Sequence, residues 1–163
     1  MTRRYRIALW LFLGLYLGAC ALPATEWWDT PEGYRTDDPL KGGHYVTAPG
    51  WECLALGWMF LPYVVQVGSF GMLAWLANPL ALISLTLLLF LRTTGAAVFG
   101  AASVVLGVLY LIDPPGKSGY PDLPQVGAWL WVGSFLALTL AALIRRKRLQ
   151  AEKHVVPVSQ PIA

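Results

Sequence analysis

Leu17-Gly18-Ala19-Cys20 follows a basic start and an apolar stretch, the order in which a bacterial lipoprotein signal is built. Cleavage before Cys20 would leave that cysteine as a lipidated N-terminus outside the inner membrane. Against this, the remaining chain still holds several apolar stretches, and Tyr16 is a bulky neighbour for a processing site. The competing expectation is an uncleaved first helix that happens to contain Cys20. The second cysteine, Cys53, falls near the same outer face. In an oxidising periplasm Cys20 and Cys53 could join as a disulfide, or stay as two buried thiols.

His44, Glu52 and Cys53 form the one conceivable metal-ligand cluster in the sequence. They lack zinc-site spacing, and Glu52 more simply marks the water-facing end of a helix. No metal or cofactor is expected. A membrane enzyme would have to use Asp29, Asp37, Asp38, His44 or Glu52, and these show no nucleophile–base spacing. No catalytic residue is assigned.

The elements that would position these residues follow from composition. Of 163 residues, 56% are hydrophobic and only 13% are charged. A soluble domain of this size cannot hide that much apolar surface. Charges divide the chain into uncharged stretches at 7–25, 53–91, 93–112 and 123–144. Three of them match the roughly 20 residues a helix needs to cross a bilayer. Leucine and alanine dominate, without the alternation of barrel strands. The expected fold is an all-α integral membrane protein, a small bundle of about four transmembrane helices plus a re-entrant or interfacial segment.

Charge placement sets the orientation. Arg3, Arg4 and Arg6 (in 1–6) precede the first helix, 7–22, and Arg145, Arg146, Lys147 and Arg148 open the basic tail 145–163. The loop 23–50 and its border are acidic, with Glu26, Asp29, Glu32, Asp37, Asp38 and Glu52 against Arg35 and Lys41. Basic segments resist translocation, so both termini read as cytoplasmic and 23–50 as periplasmic.

The run 53–91 is long enough to cross twice. Two crossings would put Arg92 and the tail outside, stranding eight of the twelve bases. One net crossing keeps nine inside and leaves only Arg35, Lys41 and Lys117 outside. The single crossing is therefore expected, with Arg92 as an inner anchor. Five crossings with an external N-terminus is the runner-up. Residues 51–70 then lie in the outer headgroup layer or dip in and return, and 72–91 crosses as helix 2. Pro79 cannot donate to the Trp75 carbonyl, so a kink is expected at Asn78-Pro79. Asn78 can satisfy a freed backbone group or cap a helix starting at Pro79. A tight hairpin around Gly68 to Gly71 is the rival.

Residues 93–112 form helix 3, 113–125 a second periplasmic loop, and 126–144 helix 4, with Trp129 and Trp131 near its outer end. Beyond Gln150 the tail lacks periodicity and reads as disordered. Gly14 and Gly18 form GxxxG, Gly100 lies in a small-residue stretch, and Gly133, Ala137 and Ala141 repeat every fourth position. Such faces allow close helix approach, either within this bundle or against another membrane protein or a second copy. The basic tail is short and lacks interleaved aromatics, so no nucleic-acid partner is expected; the bilayer is.

Pro49-Gly50-Trp51, Gly57-Trp58 and Ala74-Trp75-Leu76-Ala77-Asn78-Pro79, with GAWLWVGS in the last helix, resemble an uncharacterised family of small bacterial inner-membrane proteins. The resemblance covers roughly residues 49 to 135. It implies a helical inner-membrane protein and no activity; the loop 23–48 looks less like the family. The function expected is a non-enzymatic scaffold or accessory subunit acting through helix packing and its outer loop. A small oligomeric transporter or channel is the alternative, drawing on Gln66, Asn78, Ser84, Thr86, Ser103, Ser134 and Thr139. A multi-spanning lipoprotein lipidated at Cys20 is the second alternative.

Overall fold

The computed structural model describes residues 3–29, 44–56, 59, 70–113 and 123–155. The chain is mostly helical. Helix α1 (Arg3–Ala21) leads into strand β1 (Pro23–Asp29); β2 (His44–Pro49) leads into the short α2 (Gly50–Leu56). A 3-10 segment (Phe70–Leu76) continues as α3 (Ala77–Leu89), followed by α4 (Thr93–Ile112), β3 (Leu123–Pro124) and α5 (Val126–Val155).

Local chemistry explains the boundaries. Pro23, with no N–H to continue the ladder, follows α1, and the Leu22 N–H closes the helix on the Gly18 carbonyl at 3.0 Å. α3 ends in a Schellman turn: the Arg92 N–H donates to the Leu87 carbonyl at 2.8 Å and the Leu91 N–H to the Leu88 carbonyl at 3.3 Å. Leu91 occupies the left-handed position of that turn, at φ 64°. α5 continues past Ile144 to Val155, so residues 151–155 are helical where the sequence suggests disorder. Its extension is rich in strong helix formers, and Arg148 Nε pairs with Glu152 Oε1 one turn on at 2.7 Å.

The segments expected as two loops, 23–50 and 113–125, contribute to a small sheet of order β2-β1-β3. β1 pairs antiparallel with β2, Trp27 opposite Val46 and Trp28 opposite Tyr45, with an irregularity between Pro23 and Thr25. On its other edge Thr25 and Glu26 face Pro124 and Leu123. An aromatic and β-branched content favours strands here despite the acids. The chain is thus mainly α, as expected, with one small sheet added.

α5 lies at the centre, packed on α1 on one side and α4 on the other; α4 in turn packs on α3 and on the 3-10 segment. Arg145 stacks on Tyr5, so the start of α1 and the inner part of α5 share one end. Gly107 faces Val132 and Gly100 faces Thr139, so α4 and α5 are antiparallel and Arg92 falls at that same end. Two helices, Thr93–Ile112 and the part of α5 over Val126–Glu152, are long and apolar enough to cross a membrane.

The interior is built of small residues. Ala77, Ala96, Ala141, Ala142, Ser84, Ser103 and Ser134 are fully enclosed, together with Leu88, Phe135 and Leu138. Trp10, Leu82, Val98, Val105 and Leu136 each expose half or more of their surface. A water-solvated bundle would place its large aliphatic side chains inside.

Candidate functional site

Asn78 occupies the second position of α3, one residue before Pro79. In the first helical turn a proline is tolerated, its fixed φ already suiting the helix. The turn before it is 3-10, with the 3-10-to-α junction between Leu76 and Ala77. Asn78 Nδ2 donates to the Trp75 carbonyl at 3.3 Å, replacing the N–H that Pro79 lacks.

The other end of the same carboxamide joins three helices. Tyr16 of α1 donates its hydroxyl to Asn78 Oδ1 at 3.1 Å, and Trp131 of α5 donates Nε1 to the same oxygen at 2.8 Å. Both lone pairs of Oδ1 are thereby used. Aromatic rings enclose this node. Trp131 meets Phe135 edge-on at 4.9 Å and Tyr110 at 6.5 Å, and Tyr16 lies 6.4 Å from Phe135 and 5.8 Å from Phe12. In such surroundings a hydrogen bond is strong and an unmade one is costly. The node can fix the depth and rotation of α1, α3 and α5. It contains no group that ionises near neutral pH, which leaves hydrogen bonding as its chemistry.

Above the node the end of the bundle that carries the sheet is clamped by close contacts. Trp75 Nε1 donates to the Leu54 carbonyl at 2.8 Å, tying the 3-10 segment to α2. The two sides of the undescribed stretch after Leu56 therefore meet at one end of the bundle. Gly50 N–H donates to the Leu22 carbonyl at 3.0 Å, and a Cβ at Gly50 would lie only 1.8 Å from the Ala19 carbonyl oxygen. Gly127, opening α5, would place a Cβ 2.5 Å from the Pro23 oxygen. Gln125 N–H completes the clamp on the Ala24 carbonyl at 3.0 Å. Only glycine permits these approaches, so the sheet is seated on the C-terminal end of α1 and the N-terminal end of α5.

A second seam runs toward the other end. Ser84 Oγ donates across to the Ala96 carbonyl of α4 at 2.7 Å. A Cβ on Gly100 would lie 2.7 Å from Thr139 Oγ1 and 3.2 Å from Ser84 Oγ, so three helices converge there. The hydroxyls of Ser103, Ser134 and Thr139 bond carbonyls of their own helices, as does that of the outward Thr86.

The residues singled out from sequence distribute unevenly. Gly133 faces Leu15 at 3.7 Å and Gly18 faces Leu130 at 3.5 Å, on the α1–α5 contact, where Ala137 and Ala141 are buried. Gly14 has nothing within 4 Å of its added Cβ, so the GxxxG pair does not act as a unit among the described residues. Cys20 and Cys53 are both thiols and partly buried; the disulfide considered from sequence is not formed. Cys20 lies within α1, whose backbone continues as helix through Ala21. Glu52 sits in the first turn of α2, and among the described residues no three metal-binding side chains gather. Arg3, Arg4, Arg6, Arg92, Arg146, Lys147 and Arg148 are exposed, and Arg145 is half-buried. Asp37, Asp38, Gln66, Gly68 and the hairpin alternative lie outside the described residues, and the side chains of Asp29 and His44 are likewise not described.

Tyr16 and Trp131 as partners of Asn78, and Gly50 and Gly127 as clamps, are absent from the sequence-based assignment. The signal for the first two was an amide flanked, at similar depth in neighbouring helices, by aromatics with hydrogen-bonding tips. No known protein family, curated protein or solved structure matches the chain.

Proposed function

We propose that the chain is a multi-pass inner-membrane protein with four crossings and both termini in the cytoplasm, acting as a non-enzymatic scaffold or accessory subunit. The membrane setting rests on the reversed distribution of residue size: serine, alanine and glycine inside, leucine, valine and tryptophan outside. Helices in lipid gain little by hiding leucine and associate through small residues and interhelical hydrogen bonds. The orientation rests on the gathering of Tyr5, Arg92 and Arg145 at one end, opposite the sheet. With Trp75 bonded to Leu54, the run 53–91 starts and restarts at the outer end, which favours one net crossing.

The scaffold reading is carried by one observation: Asn78 and Ser84 spend side-chain polar atoms on bonds between helices beneath a clamped sheet. Asn78 Oδ1 takes two donors, and the Ser84 hydroxyl bonds α4. Such an interior presents its sheet as a fixed platform for a periplasmic partner. Reporter fusions at Gly71, Arg92, Lys117 and the C-terminus test the topology. External signal is expected at Gly71 and Lys117 only, and external signal at Arg92 overturns it. Ion or solute flux in proteoliposomes would instead favour the oligomeric channel. Stoichiometric co-purification of a partner, lost when the Gly50 clamp is broken, supports the scaffold.

A further inference from the structure

Eight bases occupy the end of the bundle opposite the sheet. They are Arg3, Arg4 and Arg6 on α1, Arg92 before α4, and Arg145, Arg146, Lys147 and Arg148 on α5. Among the described residues of these segments the acid is Glu152, and it is bonded to Arg148. Among the described residues of these segments the other seven bases have no acidic partner.

Tyr5 stands out within this region. Its side chain is 3% exposed, and among the described residues its enclosed hydroxyl has no hydrogen-bond partner. Native structures rarely leave such a group unserved, because it has lost water and gained nothing. Arg145 lies against the same side chain, Cζ 5.0 Å from the ring centroid. Stacking fixes the guanidinium in place yet uses none of its five N–H donors. An oriented fork and an orphan hydroxyl thus sit side by side, and both suit an anionic oxygen acceptor.

We propose that the α1–α5 contact at Tyr5 and Arg145 binds the phosphate of an anionic phospholipid from the cytoplasmic leaflet. Arg145 is the oriented donor, Tyr5 its neighbour, and Arg3, Arg4 and Arg6 supply longer-range attraction. The proposal rests on the membrane reading above. A lipid is the occupant favoured over free phosphate because Arg145 directly follows the apolar stretch ending at Ile144, the depth of a headgroup. Within two turns toward the middle, Ile7, Leu11, Leu140 and Leu143 expose apolar surface on the same two helices, where acyl chains would lie.

Native mass spectrometry of the full chain, exchanged into equal mixtures of phosphatidylglycerol and phosphatidylcholine, tests this. The wild type should retain phosphatidylglycerol several-fold over phosphatidylcholine. R145Q should lower that preference about fivefold, the effect of one headgroup-level base. Y5F, which keeps the ring and the stacking, should lower it measurably, R145K should fall between, and R148Q should leave it unchanged. No preference in the wild type overturns the proposal. So does an equal loss in R148Q and R145Q, which would make the attraction diffuse, or displacement by inorganic phosphate alone. A C-terminal reporter in the same cells separates the two levels: cytoplasmic signal without lipid preference sinks the site, and external signal sinks the topology.

Discussion

Asn78 donates its side-chain N–H to the carbonyl of Trp75, the acceptor that Pro79 leaves without its usual helical donor. The relationship is local, two residues curing a defect made by a third. Its consequence is not local, because orienting Nδ2 toward Trp75 turns Oδ1 toward Tyr16 and Trp131. A backbone repair in α3 thereby sets how α1 and α5 sit against it.

Replacing Asn78 by alanine should therefore be far worse than replacing Pro79. N78A strands the Tyr16 hydroxyl, the Trp131 indole and the Trp75 carbonyl. Interhelical hydrogen bonds in membranes are worth roughly 0.6 to 1.7 kcal/mol each, so a total loss of about 2 kcal/mol is expected. P79A, in the first turn, should change stability by less than about 1 kcal/mol. Thermal unfolding in detergent ranks the two. The reverse order would mean that the proline, not the amide, organises this region.

Leu91 should be improvable. It holds φ 64° in the turn between α3 and α4, a conformation a β-carbon disfavours by roughly 1–2 kcal/mol. Its side chain is exposed, so little packing is lost by removing it. L91G should raise stability by about 1 kcal/mol, less what glycine adds to the freedom of the unfolded chain. A drop in melting temperature would show that Leu91 makes a contact outside the chain, for which the bilayer is the nearest source.

Helix positions were legible in the sequence because charges and prolines mark where lipid-compatible helix ends. Arg92 does so between α3 and α4, and Pro23 after α1. The defect at Pro79 and its repair by Asn78 were legible too, since both follow from covalent structure and i–4 geometry. The sheet was not. Pairing of Thr25 with Pro124 joins segments about a hundred positions apart, and nothing local encodes it. Small-residue motifs were legible only as permission to approach. Gly14 and Gly50 look alike in sequence, yet one faces open space and the other a carbonyl oxygen.

That contrast yields a glycine series. G14A should be neutral or slightly stabilising, since alanine favours helix and meets nothing. G50A must displace the backbone of α1 at Ala19, and G127A that of Pro23; overpacking of this kind costs typically 1–3 kcal/mol. G100A should fall in the same range, because Thr139 and Ser84 both crowd the added carbon. Melting temperatures in a single detergent give the order. If G14A is the most damaging, the GxxxG pair packs against a second copy of the chain that persists in the detergent.

Thr25 offers a gain from removing a polar atom. It is 7% exposed in β1, and among the described residues its enclosed Oγ1 has no partner. Valine has nearly the same shape, suits a strand and carries no hydroxyl to leave unserved. T25V should stabilise the outer end by about 1 kcal/mol, measured as slower proteolysis of the sheet or a higher melting temperature. A loss of similar size would reveal an acceptor supplied from outside the described residues.

The first helix should survive in the mature protein. Processing before Cys20 would remove Tyr5 and Ala8 from the core and take the Tyr16 hydroxyl from Asn78. It would also need an extended substrate at Ala19, which is buried in helix against Gly50. Intact mass spectrometry should find the residues before Cys20 still attached, and C20A should accumulate in the membrane at the wild-type level. An inhibitor of lipoprotein signal peptidase should leave the band unshifted. A larger species accumulating under that inhibitor would show that α1 is a signal, and that the Asn78 node closes without Tyr16.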